Sequence, residues 1–209
     1  MSHALTLMQW LSPAFPVGAF AYSHGLEQAI ADGAVKGADT LEAWLTALVT
    51  HGSGRADAIL LAAAYRAEAP GTVDATARAF AASAERLKET DLQGAAFCDA
   101  ARAVWELDLD RLTYPVAVGA AARVMHIPLP DTLPLYLQAF AGNLVSVAQR
   151  ALPLGQTDGQ KVLAALTPHL TATATMAQSS TLDDLTSTSF AADIAAMRHE
   201  TLQPRIFRT

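Results

Sequence analysis

Cysteine is all but missing from this chain of 209 residues: Cys98 stands alone, which excludes an internal disulfide framework and a zinc site built on several thiolates. That usage suits a reducing, cytoplasmic setting. Charge is scarce as well. Charged residues make up 16% of the chain against 52% hydrophobic ones, so the surface is poorly supplied for a free-standing monomer and much of it is expected to meet protein. The 14 Lys and Arg against 20 Asp and Glu leave a net charge of −6, the wrong sign for neutralising phosphates, which argues against DNA or RNA as a partner. Long apolar runs are missing too. The uncharged stretch from Thr132 to Gln149 carries Pro134, Gln138, Gly142, Asn143 and Ser146, too polar for a membrane span and better read as a buried helix. The opening Met-Ser-His-Ala-Leu-Thr-Leu-Met has no basic start, apolar run or small-residue cleavage site, so it is read as part of the fold.

Strand-like alternation is nearly absent, whereas helical periodicity runs throughout and 45 of the 209 residues are Ala. Leu41, Trp44, Leu45, Leu48 and Val49 lie at i, i+3, i+4, i+7 and i+8, predicting a helix over about 40–51 capped by Asp39 or Thr40. Gly52-Ser53-Gly54 breaks it, and a second helix covers 57–68 up to Pro70-Gly71. Further helices are expected over 72–90, 92–107 and 115–125, the last with Pro115 in its first turn. Asp131-Thr132 is read as the cap of a helix ending near Ala151. A helix over 160–178 is expected to kink or split at Pro168, and a short one covers 189–198. Ser179 to Ser189 reads as a surface loop. The fold class is all-α: one domain over 1–209, a compact bundle of seven to ten helices with a tail over about 198–209.

Catalytic constellations are missing as well. No G-x-x-x-x-G-K-[ST] run is present to cradle phosphates, and the histidines at 3, 24, 51, 126, 169 and 199 form no H-E-x-x-H. His24 and Glu27, at i, i+3, would share one helix face, a geometry found in metal sites and in ordinary hydrogen-bonded pairs. Asp108, Asp110, Asp183 and Asp184 suggest a second reading, a small helical Mg²⁺ enzyme, although neither pair extends into D-D-x-x-D. Cys98, in an Ala-rich helix, reads as a small buried hydrophobe.

Two segments are left over. Ser12-Pro13-Ala14-Phe15-Pro16-Val17-Gly18-Ala19-Phe20-Ala21-Tyr22-Ser23-His24-Gly25-Leu26-Glu27 is an elbow that delivers aromatics, Ser23 and Glu27 into a helix. The tail Met197-Arg198-His199-Glu200-Thr201-Leu202-Gln203-Pro204-Arg205-Ile206-Phe207-Arg208-Thr209 concentrates Arg around Ile206 and Phe207, a composition suited both to a protein-binding anchor and to a tail folded back on its own domain. These segments resemble the S-P-x-x-P-V-G-x-F-x-Y-S-x-G-L-E signature and the R-H-E-x-x-x-x-R-[LI]-F-R-[ST] ending of the urease accessory protein UreF family. A weaker match lies at Arg86-Leu87-Lys88-Glu89-Thr90-Asp91-Leu92-Gln93-Gly94-Ala95-Ala96-Phe97. Phe15, Pro204, Ile206 and Thr209 depart from the commoner family residues, and Pro204 predicts that any tail helix ends near Leu202 or Gln203.

The resemblance implies an all-α homodimer without catalytic activity or a stably bound cofactor. It implies that the chain binds UreD (also called UreH), with it recruits the GTPase UreG to apo-urease, and couples GTP hydrolysis to nickel delivery, with nickel only in transit. By the same resemblance Pro16, Gly18, Tyr22, Ser23, Gly25 and Glu27 shape the face toward UreG or a passage mouth. Arg198, His199, Glu200, Arg205, Phe207 and Arg208 form the UreD anchor, and a chain ending at Gln203 is expected to fold but to lose UreD. His24 occupies a variable position and is not assigned to nickel.

Overall fold

Among the described residues, apolar side chains at helical spacing close into ten α-helices: α1 (His3–Trp10), α2 (Leu26–Ala31), α3 (Ala38–His51), α4 (Ser53–Arg66), α5 (Gly71–Phe80), α6 (Ala84–Trp105), α7 (Tyr114–Val124), α8 (Leu129–Ala151), α9 (Gln156–Ser179) and α10 (Phe190–His199). They come from a computed structural model that describes residues 2–208. Met1 and Thr209, the outermost residues of the expected domain and tail, lie outside the described residues. Two 3₁₀ turns, Ala19–Ala21 and Leu182–Asp184, complete the regular structure, and no strand occurs among the described residues.

The bundle is built around α4, which packs against α3, α7, α8 and α9. Its Ala58, Ala62 and Ala64 are fully buried, as are Ala117, Ala121 and Ala122 of α7. Small side chains at this seam let the two backbones approach: a Cβ on Gly119 would stand 2.3 Å from the Leu61 carbonyl oxygen. A second close approach joins α6 to the start of α7, where a Cβ on Gly94 would meet the Leu112 carbonyl oxygen at 2.0 Å. The same junction is polar. Asp74 accepts from the Thr113 N–H at 2.6 Å and from Arg78 Nε at 2.6 Å, placing a carboxylate at the N-terminus of α7 where the helix dipole favours it. Trp10, Phe97 and Trp105 pack edge to face, with centroids 5.3 and 5.7 Å from Trp10, and Phe15 joins them from the elbow. Each such ring pair adds about 1 kcal/mol beyond the area it buries. The N-terminal residues thus belong to the fold as expected, with Leu7 and Trp10 fully buried.

Helix type was legible, but several boundaries differ. The break expected near residue 91 lies instead at 81–83, because Ser83 is the true cap: its Oγ accepts from the Arg86 N–H at 3.0 Å and starts α6 eight residues early. Gly37, not Asp39 or Thr40, precedes α3. Thr40 acts from inside the first turn, its Oγ1 accepting from the Lys36 and Gly37 N–H groups. Helix α4 starts at Ser53, four residues before the expected start. Asp131-Thr132 do not cap α8, which begins at Leu129 with Pro130 in its first turn. Pro168 neither splits nor ends α9. It lies on the exposed face, where water can satisfy the carbonyl its missing N–H would have paired. In the tail, α10 stops at His199, earlier than Pro204 alone would require, and a turn follows.

Candidate partner-binding site

The elbow owes its shape to two glycines with positive φ. Gly18, at φ 69°, turns the chain into the 3₁₀ segment, and Gly25, at φ 77°, starts α2. Gly25 has a second duty. A Cβ there would lie 2.6 Å from the Ala196 amide nitrogen, so its missing side chain lets α10 settle onto the start of α2. Ser23 is buried, and its Oγ accepts from the Glu27 N–H at 3.4 Å. Tyr22 is also buried; burial, then the charge of Glu89, raises its phenol pKa while neighbouring Arg208 pulls it down, and the net shift is upward. Pro16 stays exposed, flanked by the buried Phe15 and Val17, so it bends the elbow without joining the rest of the group.

Glu27 is where elbow and tail meet. Its Oε2 accepts from His199 Nε2 at 3.0 Å and from the Phe207 N–H at 2.9 Å, and its Oε1 from the Ile206 N–H at 2.6 Å. Burial pushes this carboxyl up, but the His199 bond and the two backbone N–H bonds outweigh it and hold Glu27 below the usual carboxylate range. His199 is fully buried, and its Nδ1 lies 2.7 Å from Glu85 Oε2. With a carboxylate on each ring nitrogen, it serves both only when both nitrogens carry hydrogen. Glu85 in turn receives Arg205. Phe207 is 2% exposed and lies under Arg150, whose guanidinium carbon is 4.4 Å from the ring centre. The Arg208 N–H donates to the Ala21 carbonyl at 2.8 Å.

The tail is therefore folded back on its own domain. Phe207 and His199 are interior residues, so the tail adds to the packing of its own domain, and what faces outward is Arg205, Ile206 and Arg208. Arg198 pairs with Asp32 of the α2 end at 3.0 Å, and Glu200 accepts from the Ala84 N–H at 2.8 Å, capping α6 from outside. Tyr22, Ser23, Gly25, Glu27, His199, Phe207 and Arg208 thus form one group that the sequence holds far apart. Glu85 was missed. It sits in the first turn of α6 after the Ser83 cap, where an acid is explained by the helix dipole, and nothing in its spacing points to residue 199.

His24 and Glu27 do not share a helix face. His24 has φ 53° and precedes α2, so its Nε2 lies 2.8 Å from Glu89 Oε1 while Glu27 turns to the tail. That histidine belongs to a second buried group the sequence did not disclose. Asp57 takes Arg86 NH2 at 2.7 Å and the Tyr136 hydroxyl at 2.9 Å, and Arg86 NH1 lies 3.1 Å from Glu89. Burial alone would lower the Arg86 pKa, but Asp57 and Glu89 outweigh it and keep the guanidinium charged. These residues floor a cavity of about 330 Å³ between the elbow and α8. The acids of the Mg²⁺ reading fall elsewhere: Asp108, Asp110 and Asp183 are exposed, and Asp184 accepts from the Thr181 N–H at 2.8 Å as a local cap. No group of three His, Cys, Asp or Glu able to hold a metal occurs among the described residues. Cys98 is buried, which pushes its thiol pKa up.

Residues 35–167 match the UreF family model, well over half of the chain. The chain belongs to the UreF family. It is 60% identical over 208 residues to the urease accessory protein UreF of Ruegeria sp. (strain TM1040), covering 98% of this chain and 97% of that protein. It is 56% identical over 207 residues to the protein of the same name from Roseobacter denitrificans, covering 98% and 93%, and 51% identical over 205 residues to one from Cereibacter sphaeroides, covering 98% of each. The UreF family model takes in α6 and the Asp57–Arg86–Glu89 group, and the relatives' coverage extends over the elbow and tail as well.

Proposed function

We propose that this chain is a non-catalytic urease accessory protein. With UreD it recruits the GTPase UreG to apo-urease and couples GTP hydrolysis to nickel delivery. The observation that carries the reading is identity of 51–60% to urease accessory proteins over nearly the whole chain. The clasp around Glu27 supports a division of labour: one rigid face presents the outward residues of the tail to UreD, and Tyr22, Ser23, Gly25 and Glu27 hold that face in place. Nickel is cargo in this scheme and not a resident cofactor. A conduit must release a metal that binds nitrogen and oxygen ligands strongly, and histidines and acids scattered along the chain suit transit better than a closed cage.

Homodimerisation belongs to the same proposal, supported by low charge and by exposed apolar side chains such as Phe190, Ile194 and Met197. So does a cytoplasmic location, which suits the free thiol of Cys98. No described helix is long and apolar enough to cross a membrane. The test is co-purification: tagged chain co-expressed with UreD and UreG from Ruegeria should retain UreD alone and UreG only when UreD is present. Failure to retain UreD at micromolar concentration, with the chain folded, contradicts the reading.

A further inference from the structure

We infer that the clasp at the end of α10 is a pH-sensitive latch, closed while both ring nitrogens of His199 carry hydrogen and opened when a rise in pH removes one of them. The latch involves this chain alone and needs no partner. His199 is fully buried between carboxylates from two helices: Nε2 lies 3.0 Å from Glu27 Oε2 on α2, and Nδ1 lies 2.7 Å from Glu85 Oε2 on α6. An ionised carboxylate only accepts, so each contact needs an N–H, and an imidazole has two of them only as the cation. Histidine is the side chain that ordinarily exchanges that hydrogen between about pH 5 and 8, an interval in which carboxylates are ionised and Lys and Arg are cationic. Glu27, held below the usual carboxylate range, stays charged there, and burial keeps the Tyr22 phenol neutral. Lys88, Arg205 and Arg208 share a recess with Glu85, where Arg205 takes Oε1 and leaves Oε2 to the ring. At the end of α10 itself, Arg198 is paired with Asp32 and Glu200 accepts from the Ala84 N–H. Among these side chains the imidazole is left as the group that titrates.

Losing one hydrogen does more than remove a bond. Whichever nitrogen gives it up to solvent, a lone pair then faces a carboxylate oxygen at hydrogen-bond distance, inside the protein where that contact is repulsive and poorly screened. Two carboxylates now share one ring hydrogen and repel each other across it. Glu85 keeps Arg205, whereas among the described residues no Lys or Arg pairs with Glu27. A carboxylate buried without a counter-charge is costly, so Glu27 is the one driven toward water. Its oxygens also hold the Ile206 and Phe207 N–H groups, which lose their acceptor when it moves, and the buried Phe207 is released with the segment that follows α10.

The test is amide hydrogen exchange at Ile206 and Phe207 in the full chain from about pH 5.5 to about pH 8.5, corrected for the intrinsic pH dependence of exchange, with the His199 ring nitrogens followed by magnetic resonance. Both nitrogens should carry hydrogen at the acid end, and protection of the two amides should fall about tenfold or more as one hydrogen is lost. Amides of α4 should keep their protection, which separates opening of the latch from unfolding of the bundle. Glu85→Gln is the sharper variant. It removes one of the two carboxylate charges, and its amide N–H can donate to an unprotonated Nδ1 while the Nε2 hydrogen stays on Glu27, so a neutral ring still closes the latch. That variant should hold Ile206 and Phe207 protected across the whole interval, an outcome that a merely structural role for Glu85 would not give. Unchanging protection in the unaltered chain overturns the inference, as does a ring whose hydrogen count stays the same throughout, or the same fall in protection in Glu85→Gln. The unaltered chain decides alone if Glu85→Gln does not fold. None of these outcomes bears on the proposed function, because neither readout involves a partner.

Discussion

Glu27 and His199 lie 172 positions apart, and their side chains meet in the interior with no solvent between them. Removing either one leaves the other buried with unmet hydrogen-bonding capacity, which is costlier than losing an exposed pair. Glu27→Gln retains an acceptor for the tail amides but loses the charge, and is expected to cost about 2 kcal/mol, while Glu27→Ala should cost roughly 3–5 kcal/mol, both read from denaturant unfolding. The pH dependence has a definite sign. Because the Glu27 pKa is held below its unfolded value, its contribution is fully present above the ordinary carboxylate range and disappears as pH falls through the lowered value. The unaltered chain should therefore lose more stability than Glu27→Gln on acidification below about pH 4.3; parallel curves would remove Glu27 from the account. Both residues stood out in the sequence, each within its own segment. Their pairing did not, because local spacing carries no information about contacts between distant segments, and the same holds for Asp57 with Arg86 and Tyr136.

Helices were legible wherever one face is apolar at the helical repeat, as in α3 and α8. Their ends depended on features that composition does not show: Ser83 caps α6 ahead of the Thr90-Asp91 position, and Pro168 is tolerated in α9 because it points to water. Close approach between elements is equally hidden. Gly94 and Gly119 look like blemishes in α6 and α7, yet each makes room for another backbone. Gly94→Ala should drive α6 away from 112–114 and cost about 2 kcal/mol, lowering the thermal midpoint by roughly 4–8 °C. An unchanged midpoint would mean the junction is looser than described. The tail makes a comparable prediction. A chain ending at Gln203 loses the buried Phe207 ring and two bonds to Glu27, so it should remain helical by circular dichroism but melt roughly 6–12 °C lower, corresponding to about 3 kcal/mol. Equal melting temperatures would return the tail to the status of a free anchor.

For the molecule as a whole, the all-α class and the UreF resemblance are both legible in the sequence. The first follows from periodicity, the second from two motifs at opposite ends of the chain. What the structure adds is that these ends form one surface: Gly25 admits α10, Glu27 holds Ile206 and Phe207, and the outward residues Arg205, Ile206 and Arg208 sit on a rigid support. The most direct test is complementation in cells that carry a Ruegeria urease cluster lacking its UreF protein, grown with nickel and assayed for urease activity. The account predicts that the full chain restores activity and that Glu27→Ala, expressed to the same soluble level, restores little of it; no restoration by the full chain, where the Ruegeria protein itself succeeds, would contradict it.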